Sequence, residues 1–175
     1  FAAQELQYFL SERFGKKIPV VNTLSPGKTA IILGDNEWSR KAKLDFSKLC
    51  REGFFIKTAG NCVYIAGIDD KKANAFYAVE KGGAATLRYD RGTAMGVYDF
   101  LERFAGVRFY FAGRHGTVIP EKEMTLPEKI DIFDRPDNIV RRYKTCRYRK
   151  EDWYLNEDPI RGGHIASLRM RAQTR

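Results

Sequence analysis

One stretch, residues 91–111, constrains the fold of this chain more than any other. Five apolar residues recur in it at helical spacing and form one stripe: Ala94, Val97, Tyr98, Leu101 and Ala105. Gly106 comes where a helix end favours a left-handed residue, and the aromatic-rich run Val107 to Phe111 is next. Residues 92–96 are mostly small but lack the lysine of a phosphate-binding loop. We therefore interpret the small side chains as allowing the helix to pack closely against the sheet. The pattern predicts a capped amphipathic helix over about Thr93 to Phe104 that leads into a strand.

Shorter signals organise the residues before this helix. Ala2 to Phe14 has a helical apolar face and is followed by Gly15, which predicts a helix that ends at that glycine. Ala30 to Gly34 is a continuous apolar run of strand length, which favours a central buried strand. Asn36 and its acidic neighbours offer an N-cap for a short helix near Trp38 to Leu44.

Two β-rich runs flank the dipeptide Gly60-Asn61, with Phe54 to Ala59 before it and Cys62 to Ala66 after it. Glycine supplies the positive φ of a type II′ turn, so the pattern predicts a hairpin. Ile130 to Phe133 alternates in the way expected of a last strand. The order of elements predicts an α/β (α+β) fold with a mixed β-sheet and two main helices packed on one of its faces.

The chain changes character near residue 135. Residues 135–175 hold 11 Lys and Arg against 5 Asp and Glu, whereas residues 1–134 hold 20 against 17. The net charge of +9 is therefore concentrated in the tail, and nucleic acid is not an expected partner. We predict one domain over 1–134 and the start of a second unit over 135–175. No apolar run approaches the roughly 20 residues of a membrane-spanning helix, so no membrane span is predicted.

Three segments carry a family resemblance: Ala2-Ala3-Gln4-Glu5-Leu6, the hairpin Gly53 to Gly67, and Arg91 to Phe109. The last matches the pattern Arg-Gly-x-x-x-Gly-Val-Tyr-x-Phe-Leu-Glu-x-x-x-Gly-Val-Arg-aromatic. About residues 1–140 resemble the N-terminal α/β domain that precedes the catalytic barrel in bacterial family 20 β-hexosaminidases, α-glucuronidases and uncharacterised glycoside-hydrolase-like relatives. That domain buttresses a (β/α)8 barrel and carries no catalytic residue.

The resemblance extends past the end of this domain and implies that residues 135–175 are the start of the (β/α)8 catalytic barrel. In the family, the first barrel strand reads Asp-x-Pro-Arg-Phe-x-x-Arg-Gly, and its second arginine binds sugar hydroxyls. This chain keeps three of those residues: Asp134, Pro136 and Arg141. Arg141 is therefore the candidate substrate-binding residue. Asp137-Asn138 and Arg142 depart from the pattern, which favours the uncharacterised relatives over N-acetylhexosamine-specific enzymes.

Other chemistry-bearing residues suit structural roles. Three carboxylate pairs lie in polar surroundings on predicted loops, where we expect solvated surface: Asp69-Asp70, Glu121/Glu123 and Glu151-Asp152. The histidines, His115 and His164, lack metal-ligand spacing to any cysteine or to each other, so no metal and no cofactor is predicted. Three scattered cysteines allow at most one disulfide and do not reveal their redox state: Cys50, Cys62 and Cys146.

The sequence supports two functional hypotheses. The first is a non-catalytic accessory domain that supports a barrel hydrolysing glycosidic bonds, with an oligosaccharide or glycan bound by the barrel. The resemblance implies a secreted bacterial protein, periplasmic or extracellular, and the start at Phe1 leads us to expect that any signal peptide precedes this chain. The alternative is a carbohydrate-binding or interaction module without hydrolase activity that uses aromatic side chains: Tyr148, Trp153 and Tyr154.

Overall fold

The computed structural model describes residues 1–25, 27–72, 90–111, 114–121, 123–138, 141 and 165–171. The helices are α1 (Ala2–Phe14), α2 (Glu37–Lys41) and α3 (Gly92–Arg103), with a 3-10 turn at Arg114–Gly116 and a further helical stretch at 165–169. The strands are β1 (Ala30–Leu33), β2 (Phe54–Ala59), β3 (Cys62–Gly67), β4 (Arg108–Phe109), β5 (Thr117–Val118) and β6 (Asp131–Asp134). The fold is α+β.

Four strands form a mixed sheet in the order β1-β3-β2-β6. β1 runs parallel to β3, whereas β2 is antiparallel to both β3 and β6. The predicted hairpin is confirmed, with Ile56 opposite Ile65 and Gly60 at a φ of 56° in the turn. The last strand is also confirmed, over Asp131–Asp134, although it begins one residue later than its pattern suggests. β4 and β5 form a separate two-stranded ribbon.

The prediction for β1 is wrong in its position. The run was expected to lie at the centre of the sheet, but among the described strands β1 occupies an edge, and of its four residues only Ile32 is buried. A continuous apolar run records that both faces of a strand are covered, and it carries no information about which strands lie beside it. Here Ile31 and Leu33 pack against one core cluster and Ile32 belongs to the other, which explains the run.

The sheet separates two apolar clusters because successive side chains point to opposite faces. Phe54, Ile56 and Ile65 face the main core, which also contains α1 and α3 residues. Phe55 and Tyr64 face a smaller cluster, against which Trp38, Leu44 and Phe46 pack. α3 lies directly on β2 and β3, whereas α1 packs on α3. The two main helices thus share one face as a stack, and α2 with the residues after it covers the other face.

The prediction for α3 is confirmed, and the helix is more deeply buried than its stripe implies. Every residue from Gly92 to Leu101 is buried, so the helix is enclosed on all sides along most of its length. At its end Gly106 takes a φ of 68°, and the Val107 N–H donates to the Leu101 carbonyl at 3.0 Å, as expected of a left-handed helix terminus. The strand after it is shorter than predicted, covering Arg108–Phe109 alone.

α1 has the predicted bounds, with Gly15 at a φ of 60° as its C-cap. α2 begins after the predicted cap: the Asn36 side chain accepts from the Trp38 and Ser39 backbone N–H groups, and the Ser39 hydroxyl completes a capping box. The short helix expected near residues 74–80 lies outside the described residues, as do Arg142, Cys146, the Glu151-Asp152 pair, His164 and the three aromatics of the alternative hypothesis.

Candidate functional site

A cleft lies where β1 and β3 end and α3 begins. Its volume is about 240 Å³, and its walls include Gly34 after β1, Asp69 after β3, and Arg91 and Thr93 at the start of α3. Leu168, from the helical stretch 165–169, lines it too. In α/β folds, ligands commonly bind at the carboxyl ends of parallel strands, so this is the place where a site is expected.

Close backbone packing shapes the cleft. A β-carbon built on Gly67 would stand 2.4 Å from the Gly92 carbonyl carbon, and one built on Gly96 would stand 2.7 Å from Ile65 Cγ2. These contacts confirm that small residues let α3 approach the sheet. The Gly92 N–H donates to the Ile68 carbonyl at 2.8 Å, which fixes the start of the helix against the end of β3.

Asp69 caps α3 from outside the helix. Arg91, the residue at the N-cap position, makes no side-chain capping bond, but Asp69 Oδ1 accepts the Thr93 N–H at 3.0 Å. Thr93 Oγ1 in turn accepts the Gly67 N–H at 3.1 Å. Burial raises the pKa of the Asp69 carboxyl and outweighs the hydrogen bonds from Thr93, which lower it.

The other acids at the cleft also have structural partners. Asp70 Oδ1 accepts the Lys72 N–H at 2.8 Å, and an Asp90 carboxylate oxygen lies 3.5 Å from Arg51 Nε. Asp69 and Asp70 are exposed, as predicted. Each of the three carboxylates thus serves a turn, a cap or an ion pair.

A cluster of three charged side chains, Glu52, Arg91 and Arg141, adjoins the cleft and is called the charge hub below. Glu52 is 4% exposed and takes a positive φ of 59°. Its Oε1 lies 3.1 Å from Arg91 Nη2, whose side chain is equally buried, and its Oε2 accepts from Arg141 Nη2. One carboxylate therefore joins the start of α3 to the segment after residue 135.

Arg141, the predicted substrate-binding residue, is placed at this hub. Besides Glu52, its guanidinium donates from Nε to the Arg171 carbonyl at 2.9 Å and from Nη1 to the Asn138 carbonyl at 2.7 Å. All three nitrogens thus contact protein groups, and about a quarter of the side chain is exposed. A contact between Arg141 and sugar hydroxyls stays a prediction.

The far half of α3 holds a second set of ion pairs. Arg171 donates to Asp99 Oδ1 and to Glu102 Oε2, both at 2.6 Å. Asp99 is buried and also binds Arg103, one turn later on the same helix, at 2.9 Å. Burial raises the pKa of the Glu102 carboxyl, while Arg171 opposes that rise. The segment 165–171 is therefore attached directly to α3, and it is joined to Glu52 through Arg141, which donates to the Arg171 carbonyl.

The remaining candidate residues lie apart from these contacts. Glu121 and Glu123 are exposed, as predicted, and line a hollow of about 380 Å³ beside the end of α1, where Arg13 Nη1 donates to the Pro120 carbonyl at 2.7 Å. His115 is exposed in the 3-10 turn. Cys50 and Cys62 are free thiols.

Three acids that bind arginines of the C-terminal residues 135–175 were not predicted from the sequence: Glu5, Glu52 and Asp99. Glu5 was considered only as one residue of the Ala2 to Leu6 motif. No pattern in the residues around Glu52 indicates that it forms an ion pair. Asp99 did carry one, because it interrupts an apolar helix four residues before Arg103, the spacing of a helical ion pair.

In the described part of the chain, no group of three or more His, Cys, Asp or Glu side chains is placed to hold a metal ion. None of the described helices has the length and apolar character needed to cross a bilayer. No family model, curated protein or solved structure matches this chain.

Proposed function

We propose that residues 1–134 form a non-catalytic accessory domain of a glycoside-hydrolase-like protein, and that the domain holds in place the segment leading to a catalytic barrel. Two observations support it together, the sequence resemblance and the contacts that Arg141 and the segment 165–171 make with residues 1–134. A periplasmic or extracellular location, and a glycan as the ligand of the barrel, belong to this proposal and rest on the resemblance.

The burial of Leu168 is the main structural support for this accessory role. This side chain is 3% exposed and belongs to the same apolar cluster as α1, α3 and the sheet. Ala166 and Ser167 are buried with it. Arginines on both sides of this apolar contact bind acids of the domain, since Arg141 reaches Glu52 and Arg171 reaches Asp99. An apolar contact accompanied by ion pairs is the arrangement expected of a stable contact between adjoining units.

Exposed aromatic side chains favour the alternative, a carbohydrate-binding module. Tyr110 is 60% exposed and Phe111 43% exposed, and the two adjoin each other directly after β4. A planar ring with a polar tip is well suited to a ligand that is apolar on one face and hydroxylated at its rim. This surface lies apart from the cleft, because neither residue lines it.

Two measurements on the purified chain separate these functions. We expect no turnover of chromogenic glycosides, and no heat in calorimetric titrations with oligosaccharides. Heat that disappears in a Tyr110→Ala variant, with the Tyr8→Ala variant as a matched exposed control, would establish the binding module instead. Turnover of a glycoside by the chain would refute an accessory role.

The supporting role is tested by hydrogen exchange. We expect the amides of residues 165–171 to be protected in the intact chain and to lose protection in the Leu168→Ala variant, which should cost about 2–5 kcal/mol of stability. Leu126→Ala, at an exposed leucine, is the control and should leave exchange unchanged. Unprotected amides at 165–171 in the unaltered chain would remove the basis of the proposal.

A further inference from the structure

The guanidinium of Arg169 lies among side chains of residues 1–134. Arg169 Nε donates to Glu5 Oε2 at 2.9 Å and Nη2 donates to Glu5 Oε1 at 3.2 Å, so both carboxylate oxygens are engaged. The guanidinium carbon also lies 4.9 Å from the centre of the Phe9 ring and 6.0 Å from that of Phe109. The Arg169 guanidinium is thus bound by a bidentate carboxylate and contacts two aromatic rings.

Three elements of the domain fix the walls of this pocket. Glu5 and Phe9 come from α1, Tyr98 from α3 and Phe109 from β4. The rings pack edge to face, with Phe109 5.2 Å from Phe9 and 5.9 Å from Tyr98. The Tyr98 hydroxyl donates to Glu5 Oε2 at 3.1 Å and so holds the carboxylate in position. All three rings are buried, and close packing of this kind limits their movement.

This geometry suits a guanidinium better than an ammonium. A guanidinium is planar, presents parallel N–H groups that match a carboxylate, and is weakly hydrated on its faces, where aromatic rings stack. An ammonium is a compact and strongly hydrated charge that would satisfy one oxygen of Glu5 and leave the aromatic contacts poorly used. Cation–π attraction strengthens when the cation is desolvated, and the Arg169 side chain is about four-fifths buried.

We infer that Glu5, Phe9, Tyr98 and Phe109 form a guanidinium-selective socket, through which the domain recognises an arginine of the segment C-terminal to it. The inference rests on the proposed supporting function, and it names the chemistry that makes the contact specific. The occupant is Arg169 of this chain. The preceding residue, Leu168, is buried in the main apolar cluster, so the socket lies next to a hydrophobic contact. The domain therefore binds this segment through both a charged and an apolar contact.

Chemical rescue of the intact chain tests the socket. In the Arg169→Ala variant, methylguanidinium should raise the melting temperature relative to the unaltered chain under the same salt, in a saturable way and by at least about three times as much as methylammonium does, since a ligand that binds the folded state stabilises it. The unaltered chain, whose socket is occupied, is the control for the general effect of each salt, because guanidinium salts lower melting temperatures by weakening apolar burial. A variant that responds to both salts as the unaltered chain does would overturn the inference.

If the alanine variant does not fold, a second comparison tests whether the socket prefers a guanidinium to an ammonium. Arg169→Lys keeps the charge, and we expect it to lower the melting temperature nearly as much as Arg169→Gln does. A lysine variant as stable as the unaltered chain would show an ordinary ion pair and refute selectivity. Either negative result leaves the supporting function standing as long as the amides of 165–171 stay protected, so the two failures are distinguishable.

Discussion

Gly67 lies against Gly92 with no room for a side chain on either residue. A β-carbon built on Gly67 would stand 2.4 Å from the carbonyl carbon of Gly92 and 2.6 Å from the Gly53 carbonyl oxygen. Both neighbours are backbone atoms, which cannot rotate away. The last residue of β3, the first residue of α3 and the residue before β2 therefore meet at one point, and this junction sets how closely the helix approaches the sheet.

Gly67→Ala is therefore expected to destabilise the domain severely. The added methyl group must push α3 away from β3, so we expect a loss of about 3 kcal/mol or more in the free energy of unfolding, at the upper end of overpacking effects. Urea denaturation measures it. Gly60→Ala is the matched control: nothing lies within 4 Å of its β-carbon, so it should lose only the roughly 1 kcal/mol caused by its positive φ. Similar losses in both variants would contradict the close contact.

Glu52→Gln should also be costly, for an electrostatic reason. The variant keeps the size of the side chain but removes the negative charge that Glu52 places beside the guanidinium groups of Arg91 and Arg141, and Arg91 is 4% exposed. Breaking a buried ion pair from one side costs about 3–5 kcal/mol. Urea denaturation checks it, and the Glu37→Gln variant, at an exposed pair with Lys41, should behave like the unaltered chain. Equal stability of Glu52→Gln and the unaltered chain would show that the hub contributes nothing.

Local signals in the sequence were enough to predict the helices and the hairpin. Gly15, Gly60 and Gly106 all adopt the positive φ that their positions suggested, because a helix end or a tight turn depends on a few adjacent residues. The buried stripe of α3 was predicted for the same reason. Its burial on the remaining sides was not, since that depends on α1 and on the segment 165–171.

Features set by distant residues could not be predicted in this way. The edge position of β1 depends on the neighbours of β3, which an apolar run does not reveal. Glu52 occupies a positive-φ conformation that a sequence rule would assign to a glycine. Its partners Arg91 and Arg141 lie 39 and 89 residues further along the chain, and pairing over such distances leaves no trace in local periodicity.

The capping role of Asp69 leads to a third prediction. Asp69→Ala removes the acceptor of the Thr93 N–H at the start of α3, and we expect a loss of about 1 kcal/mol, the usual cost of losing such a cap. Asp69→Asn keeps an acceptor oxygen and should lose less. Thermal unfolding of the two variants measures the difference. If the alanine and asparagine variants are equally unstable, the hydrogen bond to Thr93 is not the source of the effect.

The last prediction concerns pH and the Glu102 carboxyl. Since burial raises its pKa in the folded state, the folded chain binds this proton more tightly than the unfolded chain, and ionised Glu102 lowers stability at neutral pH. Glu102→Gln should therefore gain most relative to the unaltered chain near pH 7, and the gain should shrink as the pH falls through the raised pKa. Asp35→Asn is the opposite control, because the Arg40 hydrogen bond lowers the pKa of Asp35 and the variant should be less stable near pH 7. Urea denaturation from pH 7 to pH 4 compares them, and a gain for Glu102→Gln that grows towards acid would contradict the sign.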